Sequence, residues 1–376
     1  MSSLSLCPIC GTTNNFLGAS TEVPKKMRKR TRAKKAAVPV VLAIVAVIVT
    51  VLLVPTLINI AIFKQENNPI ITILQPDSQN PKFTAHVELV QHALELINKD
   101  REKFGLATVK LSSNQAAQMH AEDVFKTKQI SHWTTNGEKP YMTYTDYGGK
   151  GNVQQNVAIA GFTQDQYNEC ETNILLNCEK IDPMTTIDKL EHEMVYNDQQ
   201  CCDNGHRDNI LDGHHTHVSI GIAYDQYYLA FVENFENNYG LEVTINNGQV
   251  RVSGNLSTGT LDHIGIYYDT MPTPEVYEQN KHLLSYSAGD IVANVVKPLP
   301  PGYYYKAEGY KIIEANKWNT DDNHAVNVVF NLASAVRKDG VYTLFATVED
   351  GREMFDVTSY SIYVKSQSNN NNSTDR

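Results

Sequence analysis

The sequence is short of basic charge where a nucleic-acid binder would need it. Of 376 residues, 32 are Lys or Arg and 42 are Asp or Glu, a formal charge of −10. Residues 1–36 hold eight basic side chains (Lys25, Lys26, Arg28, Lys29, Arg30, Arg32, Lys34 and Lys35) and one acid, Glu22. The remainder therefore bears −17. A body that acidic offers no face for phosphate contacts, so nucleic acid is excluded as the main partner. Nucleophile signatures are missing too. There is no Gly-x-Ser-x-Gly segment, and no cysteine beyond residue 63 stands next to a histidine. No internal repeat is present. Cysteine is scarce, six in all. Apolar residues make up 41% and charged ones 20%, which is enough to bury a core over most of the chain and excludes wholesale disorder.

What is present begins with a membrane signal. Ala36–Phe63 contains no charged residue. As a helix it would span roughly 42 Å, more than the roughly 30 Å hydrocarbon layer. A cleaved leader has a shorter apolar stretch nearer the N-terminus, so the segment reads as an uncleaved signal anchor. Basic residues stay on the cytoplasmic side. The expected layout is a cytoplasmic tail at 1–35, a transmembrane helix at 36–63, and residues 64–376 outside. The tail's cationic run also suits anionic lipid headgroups. Cys7 and Cys10, spaced as Cys-x-x-Cys, resemble half of a zinc knuckle, but four ligands close such a site and the tail offers no others. A metal shared by two chains and a bare remnant both remain open.

Outside the anchor lie Cys170, Cys178, Cys201 and Cys202. An even number there suggests disulfides. Bridging the adjacent pair would strain the backbone, so 170/178 is expected to cross to 201/202. Sequons at Asn255 and Asn371 fit an exposed surface.

Residues 64–82 are polar and Pro/Asn-rich, a linker. From Phe83 the apolar residues recur at helical spacing over 84–104, closed by Gly105. Two more helices are expected over 114–126 and 184–196, and strands at 218–223 and 228–235. Interleaved helices and strands predict an α/β or α+β domain over 83–240. Residues 241–366 then show about eight alternating runs, at 241–245, 250–252, 263–268, 290–296, 303–313, 325–332, 341–349 and 355–364, with no convincing helix. That pattern predicts an immunoglobulin-like β-sandwich. Residues 367–376 read as a disordered tail.

Histidine concentrates in the first outer domain: His132 after Ser131, His206 after Gly205, then His214, His215 and His217. Each is a candidate ligand or proton carrier; the plain reading of the last three is a solvated loop. The order of motifs resembles the CAP superfamily of cysteine-rich secretory, venom-allergen and pathogenesis-related proteins, in a membrane-anchored prokaryotic form. The resemblance rests on Leu96–Leu106, Ala116–Ala121, Ser131-His132, Val153–Ala158, Gly205–Leu211, Ile220–Tyr224 and Phe231–Phe235. It implies an α-β-α sandwich with a cleft holding two histidines and two acids. His132 and His206 match the histidines. Gln155 stands where the family has Glu, so one acid is missing, and Asn156 matches a structural Asn. Glu193 and Asp198 are both candidates for the second acid.

Two histidines with one carboxylate could hold a zinc ion and a water, or one histidine could act as a base. A neutral amide at Gln155 serves neither purpose well. His132 and His206 are thus candidate metal ligands, and His132, His206, Glu193 and Asp198 candidate catalytic groups. His132, Gln155 and His206 would line a ligand cleft, provided both imidazoles converge there. Three functions follow: a surface module binding an extracellular ligand or envelope protein, a metal-dependent hydrolase of envelope peptides or glycans, or a structural envelope protein without a ligand.

Overall fold

The computed structural model describes residues 5–9, 60–62, 81–173, 175–306, 309–320 and 324–366. The expected tail metal ligand Cys10, most of the expected membrane helix, the linker up to residue 80 and the segment 367–376 lie outside the described residues. Among the described residues no helix is long and apolar enough to cross a membrane. Two short strands precede the first domain, β1 (Ser5–Ile9) and β2 (Ile60–Ile62). β2 occupies what the sequence predicts as the last turn of the membrane helix. β1 runs antiparallel beside β4 (Asn152–Gly161). A chain that crosses a bilayer at 36–63 cannot keep that pairing, so the strand and a cytoplasmic tail exclude each other.

The first domain has three layers. Its sheet runs in the order β1-β4-β6-β5-β3, with β3 at Lys110–Leu111, β5 at His217–Tyr224 and β6 at Tyr228–Asn237. On one face lie α1 (Pro81–Lys103) and α5 (Pro183–Tyr196). α1 turns Leu89, Ala93 and Ile97 inward, a four-residue spacing that stacks them on one side. They meet Ile187, Leu190 and Met194 of α5 and Ala158 and Ala160 of β4. On the other face α2 (Ala116–Thr127) presents Ala117, Ala121 and Val124 to Val157, Ala230 and Val232. Small residues let this helix come close. A Cβ at Gly221 of β5 would fall 2.0 Å from the carbonyl oxygen of Ala117, so only glycine fits there.

α3 (Pro140–Asp146) follows α2, and α4 (Gln164–Thr172) follows β4 behind a Thr163 capping box. Cys170 of α4 is bridged to Cys178, closing a loop that exposes Leu175 and Leu176. Cys201 is bridged to Cys202. The expected crossed pairing is therefore wrong: the partners of each local pair lie in separate parts of the domain, one pair on the α4 excursion and the other beside α6 (Gln199–Cys202).

The second domain is a two-sheet sandwich. One sheet has the order β11-β10-β9-β14-β15-β2 and the other β12-β13-β8-β7. Its strands are β7 (Leu241–Asn246), β8 (Gln249–Asn255), β9 (Thr260–Asp269), β10 (Asp290–Val296), β11 (Lys311–Glu314), β12 (Lys317–Thr320), β13 (Ala325–Asn331), β14 (Gly340–Asp350) and β15 (Glu353–Ser366). Val250, Val252, Val328 and Phe330 of one sheet share a core with Ile264, Ile266, Leu344 and Ala346 of the other. Three details depart from expectation. The run 303–313 yields a strand only at Lys311–Glu314, after the Pro300-Pro301 break. Lys317–Thr320 is an extra strand. A short helix, α8 (Pro274–Asn280), interrupts the β pattern, capped by Thr273 and led by a proline at its first turn.

The two domains pack on each other. Trp133, Tyr141, Met142 and Tyr144 of the first form one apolar cluster with Tyr277, Tyr286, Val341 and Phe345 of the second. Around it, Lys139 pairs with Asp269 at 2.7 Å, the Tyr141 hydroxyl donates to Asp269 at 2.6 Å, and the amide of Ser359 donates to the carbonyl of Gly151 at 3.0 Å.

Candidate functional site

Consecutive strand residues point to opposite faces, and two neighbours on β4 organise the site this way. Gln155 shares a face with Val157, under α2; Asn156 shares a face with Ala158, under α5.

On the Gln155 side, Oε1 lies 3.1 Å from Nδ1 of His132, and Nε2 donates to Oδ1 of Asn234 at 3.1 Å. An amide oxygen only accepts, so His132 carries its proton on Nδ1. The ring is fully buried. Tyr286 of the second domain meets it edge-on at 5.1 Å, with Trp133 and Tyr141 packed on the same tyrosine. Gln155, an amide, stands where the resemblance places a carboxylate.

On the Asn156 side, the chain turns sharply. Asp203 and Asn204 take left-handed backbone angles, φ 50° and 67°, which short polar residues tolerate. The turn folds α7 (Gly205–Ile210) back onto α6. Asp198, at the start of α6, then accepts the amide N–H groups of His206 (2.8 Å) and Arg207 (3.2 Å) on Oδ2. Its Oδ1 lies 2.6 Å from Nδ1 of His206 and 3.5 Å from Sγ of Cys201. A carboxylate only accepts, so the imidazole proton sits on Nδ1 and the lone pair on Nε2. That Nε2 is buried and, among the described residues, has no hydrogen-bond partner. Burial pushes the His206 pKa down against the pull of Asp198, so the ring is neutral. Of the two candidate acids, Asp198 is the one at the histidine; Glu193 is half-exposed and bonds Asn197.

Behind this cluster runs a buried network. Asn156 donates to Oε2 of Glu233 at 3.1 Å and accepts from Asn209 at 2.8 Å. Glu191 faces Glu233, both buried. Burial and repulsion from Glu233 raise Glu191 well above the carboxylate range, and burial lifts Glu233 to about 7. The expected solvated loop holds for part of its histidines only. His215 is buried between Asn237 and Asn209, its pKa lowered to about 4 by burial. His214 joins Asp212 and, at 3.3 Å, Glu353 of the second domain. His217 bonds Thr216 at the start of β5.

The two signature histidines thus have different polar partners: the His132 ring meets Gln155 of β4, and the His206 ring meets Asp198. Among the described residues, one group of three or more potential metal donors is present: Asp198, Cys201, Cys202 and His206, each with a donor atom within 4.8 Å of one on every other. His132 is not in it. With Gln155 neutral and His132 outside the donor group, the residues do not fit the two-histidine zinc site that the resemblance implies, and no reaction step is derived through such an ion.

Sequence reasoning missed Glu191, Glu233, Tyr286 and the cysteines at His206. Glu191 was legible: it falls four residues after Ile187 and four before Val195, on the inward face of α5. Tyr286 lies in an irregular segment of the other domain and carries no periodic signal.

Comparison with known proteins places the first domain. Residues 94–235 match the family model for the cysteine-rich secretory protein family, CAP, so a CAP domain occupies that part of the chain. Among solved structures, an extracellular protein containing an SCP domain from Bacillus anthracis str. Ames is similar at 18% identity, over 42% of this chain and 44% of that one, with a TM-score of 0.28. No curated protein sequence matches the chain.

Proposed function

We propose that this is a membrane-anchored protein, exposed outside the cell, whose CAP domain and β-sandwich act together as a non-hydrolytic module that binds a small ligand between them. The observation that carries this reading is the seating of Tyr286 over a fully buried His132 beside a neutral Gln155. A hydrolase needs a water, a base and access; this histidine has an amide for its neighbour and a tyrosine for its lid. Beside the lid lies a cavity of about 290 Å³ lined by Trp133, Lys139, Met142, Asp269, Leu283 and Tyr286. Crevices between domains commonly take ligands. Aromatic rings next to a Lys–Asp pair suit a sugar, which has an apolar face and a rim of hydroxyls. The indole N–H of Trp133, buried and without a hydrogen-bond partner among the described residues, adds a donor.

Titration of the full chain carrying Trp318→Phe with soluble envelope glycan fragments tests this through Trp133 fluorescence. A saturable change without new reducing ends supports the binding module. No change favours a structural envelope protein, and released reducing ends favour the hydrolase. The anchor is tested separately. In intact cells a membrane-impermeant maleimide should leave Cys7 unlabelled until the cells are opened; labelling without permeabilisation would favour β1 on the outer sheet.

A further inference from the structure

The strongest unassigned chemistry sits around His206. Four residues of three donor types converge there: a carboxylate, two sulfurs and an imidazole, with donor atoms within 4.8 Å of each other. Asp198 and His206 are buried, Cys202 is buried, and Cys201 is exposed. Among the described residues Nε2 of His206, an acceptor, has no hydrogen-bond partner. An orphaned buried lone pair is costly unless something occupies it, and a cation is one such occupant. Mixed sulfur and nitrogen donors select thiophilic ions such as Zn²⁺.

We infer that Asp198, Cys201, Cys202 and His206 form a redox-gated site for a thiophilic divalent cation. With Cys201 and Cys202 bridged, both sulfurs are committed to each other and the site is closed. A reductant of the dithiol class opens it. The Cys201–Cys202 bond accepts two electrons and two protons, giving two thiols, while the dithiol closes to its own disulfide. The cation then displaces the two thiol protons into solvent and takes both thiolates, with a ring nitrogen of His206 as a third ligand. Asp198 either completes the set or holds the imidazole through Nδ1, the role that carboxylates play behind metal-bound histidines. Exposed Cys201 is the sulfur a reductant can reach; the buried Cys202 is the leaving group. The expected zinc of the CAP cleft is different, because His132 takes no part.

Co²⁺ is the probe, since thiolate ligation gives it a near-ultraviolet charge-transfer band and tetrahedral geometry gives strong visible bands. The full chain carries Cys7→Ser and Cys10→Ser so that the tail pair cannot contribute. After reduction with a trialkylphosphine, which leaves as its oxide with oxygen from water, one Co²⁺ per chain should bind with both sets of bands. The same chain left oxidised should bind at least ~100-fold more weakly, a comparison that needs no further substitution and is immune to misfolding of a variant. Cys201→Ser/Cys202→Ser should abolish the bands, Cys170→Ser/Cys178→Ser should keep them, and His206→Ala should weaken binding at least ~10-fold. A reduced chain without bands overturns the inference, as do bands that persist in the oxidised chain or in Cys201→Ser/Cys202→Ser.

Discussion

The Gln155 face of β4 and its Asn156 face differ in charge, in access and in what covers them. Under Gln155 the polar chain is neutral: an imidazole, an amide and a second amide, roofed by an aromatic ring from another domain. Under Asn156 the chain is ionisable: two buried carboxyls with raised pKa values, a third carboxyl on an imidazole, and two sulfurs beside it. One residue step along a strand separates a packing device from a site with chemical potential. The difference also explains why a motif match at His132 and His206 does not by itself assign a reaction. The same two imidazoles can be a joint and a ligand, depending on what each strand neighbour brings.

Substitutions on the two faces should separate these roles, and the largest effect is expected at Asp198. Asp198→Ala removes the acceptor for two amides and for a buried imidazole, which are then left unpaired. A loss of about 4 kcal/mol is expected, measured as a shift in urea midpoint at constant slope. Next comes Tyr286→Ala, which empties the aromatic contact between the domains. Its expected cost is about 3 kcal/mol, and calorimetry should show the single transition splitting into two as the domains uncouple. If the transition stays single and unshifted, the lid has no structural weight.

Glu233 gives a smaller effect whose sign depends on pH. Its folded pKa of about 7 lies above the unfolded value, so the folded state holds the extra proton between roughly pH 4.5 and 7. Its contribution to stability is present in acid and lost as pH rises through that window. His215, lowered to about 4, works in the opposite direction, so the wild-type profile alone is ambiguous. The difference between wild type and Glu233→Gln isolates the carboxyl. The variant's cost should be about 2 kcal/mol larger at pH 5 than at pH 8; a difference independent of pH would refute the raised pKa of Glu233. The mildest change is Gln155→Glu. It restores an acid beside His132, and Asn234, whose Nδ2 has no protein partner, can turn to donate to it. Stability should move by less than about 1 kcal/mol, while the imidazole ¹⁵N shifts of His132 show protonation persisting to higher pH than in wild type.

Much of the first domain was legible because its pattern is periodic. The expected helices at 84–104, 114–126 and 184–196 match Pro81–Lys103, Ala116–Thr127 and Pro183–Tyr196 within a few residues. The wrong disulfide pairing came from weighing backbone strain at adjacent cysteines over loop closure, when each pair was already local. α8 was missed although Thr273-Pro274-Glu275 is a start signal, because seven residues make too few turns for a period to show. The site was less legible than the fold. Asp198 could not be chosen over Glu193 by spacing, since the reversal at Asp203-Asn204 that brings it to His206 is a matter of two backbone angles. Nor does any local pattern announce that a tyrosine from residue 286 will close over a histidine at residue 132.

The loop held between Cys170 and Cys178 has a practical corollary. Leu175, 89% exposed, gives proteases a ready foothold inside a ring that the sulfur bridge keeps closed. A nick there would go unseen on a gel run without reductant, since both fragments travel together. With reductant the chain would fall into two bands, so an intact-looking preparation of this protein is only as whole as its reduced lane.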